Sequence, residues 1–275
     1  MITRTWRQWP IRWLARLRDG GPRVAVLVGV ALIVVGIVGF AVVVDSVQEA
    51  DDLASLDDPV LEGLREVRSS AVTAVLVAVT TVSGPVVLPI IVLVGALLWA
   101  FVGRQRWQAG LLAAAMLVST GVSLVVKGIV ARPRPPVDAQ HVAGVEQTYS
   151  FPSGHTIGTA TLLLVVGYLA WVRRPAWRSL LGWSAVVLVG TGLVALSRLY
   201  LGYHFVTDVV ASFALALAVL GGVVTVDRRR AVRAAHRTAE NLPTVQRTGV
   251  HRTGERRSAD HGRDDDREPA ELTSE

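Results

Sequence analysis

The chain contains no cysteine, which excludes disulfide bonds, thiolate nucleophiles and cysteine-ligated metal centres. Lysine is nearly absent, because Lys127 is the only one and the other 27 basic residues are arginine. Acidic residues are scarce in the apolar part, where Asp208 is the only one between Gln147 and Val226. No group of carboxylates resembles the oxygen cage of a divalent metal ion. We therefore expect neither a metal site nor a cofactor.

Long apolar runs are what the chain has instead. It is 51% hydrophobic, with a mean hydropathy of +0.45, and runs of about 20 apolar residues are long enough to cross a bilayer. The fold class predicted is all-α: a polytopic membrane protein built as a six-transmembrane-helix bundle. An amphipathic stretch at 60–83 is read as an interfacial helix that dips inward and is broken at Gly84-Pro85. The spans predicted are 24–44, 86–102, 107–130, 155–172, 180–196 and 204–226.

Charge outside these runs predicts the organisation and orientation of the chain. Residues 1–23 form a basic arm, 24–226 the membrane domain, and 227–275 a mixed-charge tail that lacks the apolar residues for a core, so we expect disorder there. The positive-inside rule puts both termini in the cytoplasm and the acidic segment 45–58 outside. The net charge of +6 is spread beside span ends, which argues against a nucleic-acid partner. We expect the cell membrane as the location; the oligomeric state is not predictable.

Three polar clusters interrupt the apolar runs, and the predicted topology places all of them at the outer ends of spans. Their residues are Lys127, Arg132, Arg134-Pro135; Pro152-Ser153-Gly154-His155; and Ser197-Arg198, His204, Asp208. Ionisable residues at membrane depth are costly and are usually functional. Clusters on one side of the membrane are able to form one site.

The third cluster predicts a histidine–carboxylate pair. His204 and Asp208 are four residues apart at the start of a helix and therefore share a face. The carboxylate would fix the imidazole tautomer, as the orienting acid does in nucleophile–base–orienter sets. The alternative from the spacing alone is a pair that merely ties two spans together.

The other two clusters predict an anion site. Ser153 and Gly154 precede a span, and helix N-termini bind phosphate through unpaired N–H groups. His155 in the first turn would face the same anion, although an ordinary N-cap with an interfacial histidine is the alternative. Arginine suits bidentate contact with phosphate and lysine acts as a point charge, but Lys127 could instead extend to the membrane surface.

These motifs resemble, in order and internal spacing, the signature of the type 2 phosphatidic acid phosphatase superfamily, which includes bacterial membrane lipid phosphatases and soluble vanadium haloperoxidases. The resemblance covers about residues 60–226. It implies that His204 is the nucleophile, forming a phosphohistidine, and that Asp208 orients it. His155 would protonate the leaving group and later activate water. The phosphoryl oxygens would be held by Lys127, Arg134, Ser153, Gly154 and Arg198, with no metal needed.

The function expected is hydrolysis of the terminal phosphate of a lipid phosphate or pyrophosphate in the bilayer. Phosphatidic acid, phosphatidylglycerophosphate and undecaprenyl pyrophosphate are candidate substrates, and the sequence does not choose among them. Two alternatives stay open: a lipid phosphotransferase of the same fold, and a non-catalytic membrane module that binds lipid headgroups.

Overall fold

The described part of the chain is helical. The computed structural model describes residues 21–240, except 143–145 and 174, and contains no β-strand within them. The helices are α1 (Gly21–Glu49), α2 (Asp57–Glu66), α3 (Ser70–Val82), α4 (Val87–Phe101), α5 (Arg106–Val130), α6 (Gly154–Arg173), α7 (Trp177–Tyr200) and α8 (Val206–Glu240). Two short 3₁₀ turns lie at Asp52–Leu56 and Val137–Ala139. The basic arm falls almost wholly outside the described residues.

The described residues hold five to six spans, and the predicted second span is built differently from the prediction. Five helices are each long and apolar enough to cross a bilayer, and α3 with α4, bent by 50° at their break, counts as a sixth span if the pair crosses together. The predicted span at 86–102 is incomplete, because the 15 residues of α4 reach only about 22 Å at 1.5 Å per residue. Adding the 13 residues of α3 supplies the missing length. The break at Gly84-Pro85 is confirmed.

The stretch 60–83 is therefore not one interfacial helix. It belongs to two helices, α2 and α3, separated at residues 67–69. Only α2 has the amphipathic character expected of a surface helix, since Leu61 is buried while Asp58 and Glu62 are exposed. The reason is the change in composition, from charged residues in α2 to a mainly apolar, uncharged segment in α3.

The last helix is longer than predicted. α8 continues to Glu240, so the expected disorder from residue 227 is wrong up to that residue; 241–275 lie outside the described part. Asp227 is part of the bundle, because its carboxylate accepts hydrogen bonds from Trp107 Nε1 and Tyr168 Oη, both at 2.9 Å. Arg230 stacks over the Trp107 ring at 3.8 Å. Two compact units divide the chain after Arg230, and all contacts described here lie within the first.

Small residues allow α1 and α8 to cross closely. A Cβ on Gly36 would lie 2.6 Å from the Ala214 carbonyl oxygen, and one on Gly221 would lie 2.5 Å from that of Gly29. Membrane helices commonly use such contacts because apolar burial gives no net gain against lipid. An apolar cluster between α5, α6 and α8 includes Leu112, Ala115, Val165, Leu169 and Val223.

Four helix ends meet at one end of the bundle. α5 and α7 finish there, and α6 and α8 begin there. The short α7–α8 turn packs tightly against the loop after α5, since a Cβ on Gly202 would lie 2.2 Å from the Ala139 carbonyl oxygen. Gly202 also has φ +75°, a conformation that favours glycine. This turn carries His204.

Candidate active site

His204 and Asp208 form the buried pair that the spacing predicts. His204 Nδ1 lies 3.1 Å from Asp208 Oδ2, and the two side chains are 1% and 0% exposed. The same carboxylate oxygen accepts from the Phe205 backbone N–H at 2.9 Å and from the Ser150 hydroxyl. Ser150 was not predicted from sequence; it belongs to the loop before α6. Asp208 is thus held from three directions.

The partners of His204 determine its tautomer. An ionised carboxylate only accepts hydrogen bonds, so Nδ1 carries the proton; a guanidinium only donates, so Nε2 carries the lone pair. That guanidinium is Arg134, whose Nη1 lies 3.3 Å from His204 Nε2. Burial lowers the pKa of His204 to about 4, against the opposing effect of the hydrogen bond to Asp208. The imidazole is therefore neutral near pH 7, with a nucleophilic nitrogen on the side away from Asp208.

Arg132 has a structural role, which differs from the anion contact expected for it. Its Nη2 donates to Asp57 Oδ2 at 2.7 Å, and its Nη1 donates to Asp208 Oδ1 at 3.0 Å. Asp57, at the start of α2, also accepts from Thr207, through the backbone N–H at 3.0 Å and the hydroxyl at 2.7 Å. Arg132 further stacks over the Phe205 ring at 4.2 Å. This network anchors the start of α8, where Asp208 lies.

Arg134 and Arg198 come together as predicted, and an unpredicted carboxylate joins them. Glu146 Oε2 accepts from Arg134 Nη2 at 3.0 Å, and Glu146 Oε1 accepts from Arg198 Nη2. Burial alone would raise the pKa of Glu146, but the charges of Arg198 and Arg134, with smaller contributions from His155 and His204, lower it to about 2. Glu146 is therefore ionised and lies near both histidines.

Each arginine is also fixed by the surrounding protein. Arg198 donates from Nη1 to Thr80 Oγ1 at 2.7 Å, and its guanidinium lies 4.7 Å from the centre of the Tyr203 ring. Arg134 donates to the carbonyl oxygens of Thr148 at 2.7 Å and Tyr203 at 2.8 Å. Thr80 belongs to α3, so the broken second span contributes to the site. These contacts hold the guanidinium groups in place without a ligand.

Lys127 lies on the same side of the bundle but contacts the loop. Its ammonium donates to the carbonyl oxygens of Tyr149 and, at 3.4 Å, Ser150. The side chain is buried rather than extended to the membrane surface. Lys127, Arg134, Glu146 and Tyr149 line part of a cavity of 820 Å³, which provides space beside the arginine pair.

The second cluster forms the start of α6, as expected. Ser153 is fully buried, and its Oγ accepts from Thr156 Oγ1 at 3.0 Å. Its carbonyl oxygen accepts from Ser212 Oγ of α8 at 3.1 Å, which ties the two helix starts together. A Cβ placed on Gly154 would meet nothing within 4 Å, so the space beside this residue is open. His155 is half-buried.

The three clusters therefore meet in one place. Sequence reasoning did not find the acidic partners of the arginines, because Asp57 and Glu146 belong to segments read only as loops. Their one signal is chemical: a buried arginine needs a counter-charge. Within the described residues, no three or more histidine and acidic side chains gather as a metal site would require.

Comparison with known proteins finds similarity in the part of the chain that carries this site. Residues 108–231 match the PAP2 superfamily. The matched segment is less than half of the chain. It contains all three clusters, from Lys127 to Asp208. Phosphatidylglycerophosphatase B of Bacillus subtilis is 33% identical over 132 residues, which are 47% of this chain and 62% of that protein.

Two further relatives of the PAP2 segment differ in what they cover. Decaprenylphosphoryl-5-phosphoribose phosphatase of Mycobacterium tuberculosis is 32% identical over 123 residues, covering 44% of this chain and 60% of that protein. The crystal structure of a transmembrane PAP2-type phosphatidylglycerolphosphate phosphatase from Bacillus subtilis superposes with a TM-score of 0.59 at 26% identity, covering 73% of this chain and 96% of that one. The chain spans about three fifths of the length of the two curated relatives it matches.

Proposed function

We propose that the protein is an integral membrane phosphatase that removes the terminal phosphate of a lipid phosphate or lipid pyrophosphate. The observation that carries this proposal is the orientation of His204. Asp208 holds Nδ1 at 3.1 Å, while the lone pair of Nε2 faces the guanidinium of Arg134 at 3.3 Å. A neutral imidazole beside anion-binding groups is the arrangement that nucleophilic attack on phosphorus requires.

The first chemical step transfers the phosphoryl group to the protein. His204 Nε2 attacks phosphorus, the N–P bond forms, and the P–O bond to the lipid breaks. Asp208 stabilises the positive charge that develops on the imidazole. His155 donates its proton to the departing oxygen, which leaves as a lipid alcohol, or as a lipid monophosphate when the substrate is a pyrophosphate.

The second step returns the protein to its starting state. His155, now neutral, accepts a proton from a water molecule as that water attacks phosphorus. The N–P bond breaks, its electrons return to His204, and orthophosphate is released. One water is consumed for each phosphate, so atoms and charges balance without a redox partner.

Charge stabilisation comes from the cations and the start of α6. Arg134 and Arg198 would each offer donors to the phosphoryl oxygens, and Lys127 would add a point charge from the neighbouring cavity wall. Ser153 accepts from Thr156 and so retains its own hydroxyl proton for an oxygen of the phosphate. The Gly154 N–H lies at a helix N-terminus, which favours anions.

The substrate class follows from the setting and from the relatives. The outward faces of the helices carry exposed apolar side chains such as Leu93, Leu117 and Ile129, as expected for contact with lipid. Two relatives are named as phosphatases of phosphorylated lipids. The proposed substrate is therefore a membrane lipid with a terminal phosphate.

Release of orthophosphate by the purified protein tests this function. In detergent micelles we expect hydrolysis of at least one of phosphatidic acid, phosphatidylglycerophosphate and undecaprenyl pyrophosphate, unchanged in excess EDTA. Transfer of the phosphate to another lipid, with none released to water, would identify a phosphotransferase instead. Binding without turnover of any of these lipids would favour a headgroup-binding module, and loss of activity in EDTA would contradict a metal-free site.

We also propose that the site faces the outside of the plasma membrane, with both termini in the cytoplasm. Arginines cluster at the opposite ends of the spans, at 104–106, 173–178 and 228–230, as the positive-inside rule requires for cytoplasmic loops. A site on the outer side would meet lipid headgroups of the outer leaflet.

The absence of cysteine makes the orientation directly measurable. We expect Val142→Cys, in the exposed loop beside the site, to react with a membrane-impermeant maleimide in intact cells. Ala176→Cys, exposed at the start of α7, should react only after the membrane is permeabilised, and the unsubstituted chain serves as the unlabelled control. The reverse labelling pattern would invert the proposed orientation.

A further inference from the structure

Glu146 is a carboxylate located between the two arginines proposed to bind phosphate. Its two oxygens accept hydrogen bonds from different guanidinium groups, Arg134 in the loop after α5 and Arg198 at the end of α7. Both contacts are also ion pairs. A single anion thus bridges two cations that are 64 residues apart in sequence.

The nitrogens that Glu146 engages are the ones a phosphate would need. Arg198 Nη1 donates a hydrogen bond to Thr80, and Arg134 Nε donates one to the Thr148 carbonyl oxygen. The Nη2 groups of both arginines donate to Glu146, and that of Arg134 also donates to Thr148 Oγ1 at 3.2 Å. Carboxylate and phosphate oxygens bind the guanidinium fork in the same way. A phosphate held between these arginines would therefore displace the carboxylate of Glu146.

Glu146 is placed so that it can leave and return. Its side chain is 21% exposed, whereas that of Arg198 is 2% exposed, so the carboxylate lies on the accessible side of the pair. It also lines the 820 Å³ cavity, which offers room for the displaced side chain. The arginines keep their contacts with Thr80, Thr148 and Tyr203 while Glu146 moves.

An internal competitor of this kind has a defined thermodynamic effect. It lowers the apparent affinity of every anion by the same factor, because only the fraction of protein with Glu146 displaced can bind. The substrate and the product orthophosphate are both affected. For a site with several cations, slow release of orthophosphate would otherwise limit turnover, so a tethered carboxylate that takes back the arginines favours product release.

We propose that Glu146 is an internal substitute for phosphate: it occupies the Arg134–Arg198 pair in the empty site, yields to the substrate, and returns to displace orthophosphate. This inference rests on the proposed function for its biological meaning. The competition itself is a property of anion binding and can be measured without turnover.

Glu146→Gln tests the proposal, with Glu62→Gln as the matched control on the exposed face of α2. The amide keeps the shape of the side chain but loses the charge. We expect the inhibition constant of orthophosphate and the KM of the lipid phosphate to fall together, each by about tenfold. Glu62→Gln should match the wild type. Glu146→Ala should lower both constants as well. This second variant is included because the amide of glutamine could still form hydrogen bonds with the arginines.

Two results would overturn the inference. If the inhibition constant of orthophosphate and the KM of the lipid phosphate fall in neither Glu146 variant, the carboxylate does not compete with phosphate. If kcat falls while the orthophosphate constant is unchanged or rises, Glu146 positions the arginines rather than competing for them. Orthophosphate-dependent thermal stabilisation of the purified proteins supplies a readout without turnover. It tests Glu146 even if the wild type hydrolyses no lipid, a result that would contradict only the proposed function.

Discussion

Replacing His204 by alanine is expected to reduce phosphate release by at least about 10³-fold, because it removes the proposed nucleophile. The variant should remain folded in detergent. Asp208 keeps Arg132, Ser150 and the Phe205 N–H as partners when the imidazole is removed. Its charge is therefore not left uncompensated in the bundle. Orthophosphate release from the best lipid substrate is the measurement.

The matched control for this substitution is His141→Ala. His141 is exposed, and its backbone N–H, not its side chain, bonds to Leu201, so activity should match the wild type. His204→Gln, which preserves more of the side-chain volume, separates loss of chemistry from loss of packing. Unchanged turnover in a folded His204→Ala protein would refute the proposed mechanism.

The site geometry was predictable where it depends on helix periodicity and on span counting. Four-residue spacing placed His204 beside Asp208, and the distance of 3.1 Å confirms it. The alternation of spans placed Lys127, Arg134 and Arg198 at one end of the bundle. Both arguments use only the helical repeat and the order of spans along the chain, and a single sequence contains both.

The partners of the cations were not predictable in the same way. Arg132 meets Asp57 across 75 residues, and Arg198 meets Glu146 across 52. Both acids lie outside the apolar spans, where a charged residue is indistinguishable in sequence from an ordinary solvent-exposed one. Which loop carboxylate neutralises which arginine depends on tertiary packing, and no periodic pattern encodes it.

The sequence Arg132-Pro133-Arg134 shows how closely two roles are placed. Arg132 turns toward the acids that hold α8 in position, while Arg134 turns toward Glu146 and His204. In a regular strand, residues two apart share a face, so the different partners of Arg132 and Arg134 show that this proline-containing segment is not a regular strand. The motif therefore contains one arginine that pairs with the acids at the start of α8 and one that pairs with Glu146 beside His204.

Asp57→Ala is expected to give the largest loss of stability. It removes two hydrogen bonds to Thr207 and one ion pair to Arg132 at a site where Asp57 is 3% exposed. Breaking a buried pair leaves the other partners unsatisfied and costs about 3 kcal/mol or more. Arg132 keeps its contacts with Asp208 and the Phe205 ring, so we expect the loss of stability to stay near this lower bound. Thermal unfolding in detergent measures it.

Asp58→Ala is the control, because Asp58 is the adjacent carboxylate and is exposed. Its effect should stay within about 0.5 kcal/mol. Asp57→Asn should fall between the two, since the amide oxygen still accepts from the Thr207 N–H but no longer neutralises Arg132. Activity is expected to decline with stability, because the same network sets the position of Asp208 behind His204. Equal unfolding temperatures for Asp57→Ala and Asp58→Ala would show that the buried contacts of Asp57 do not hold α8 in place.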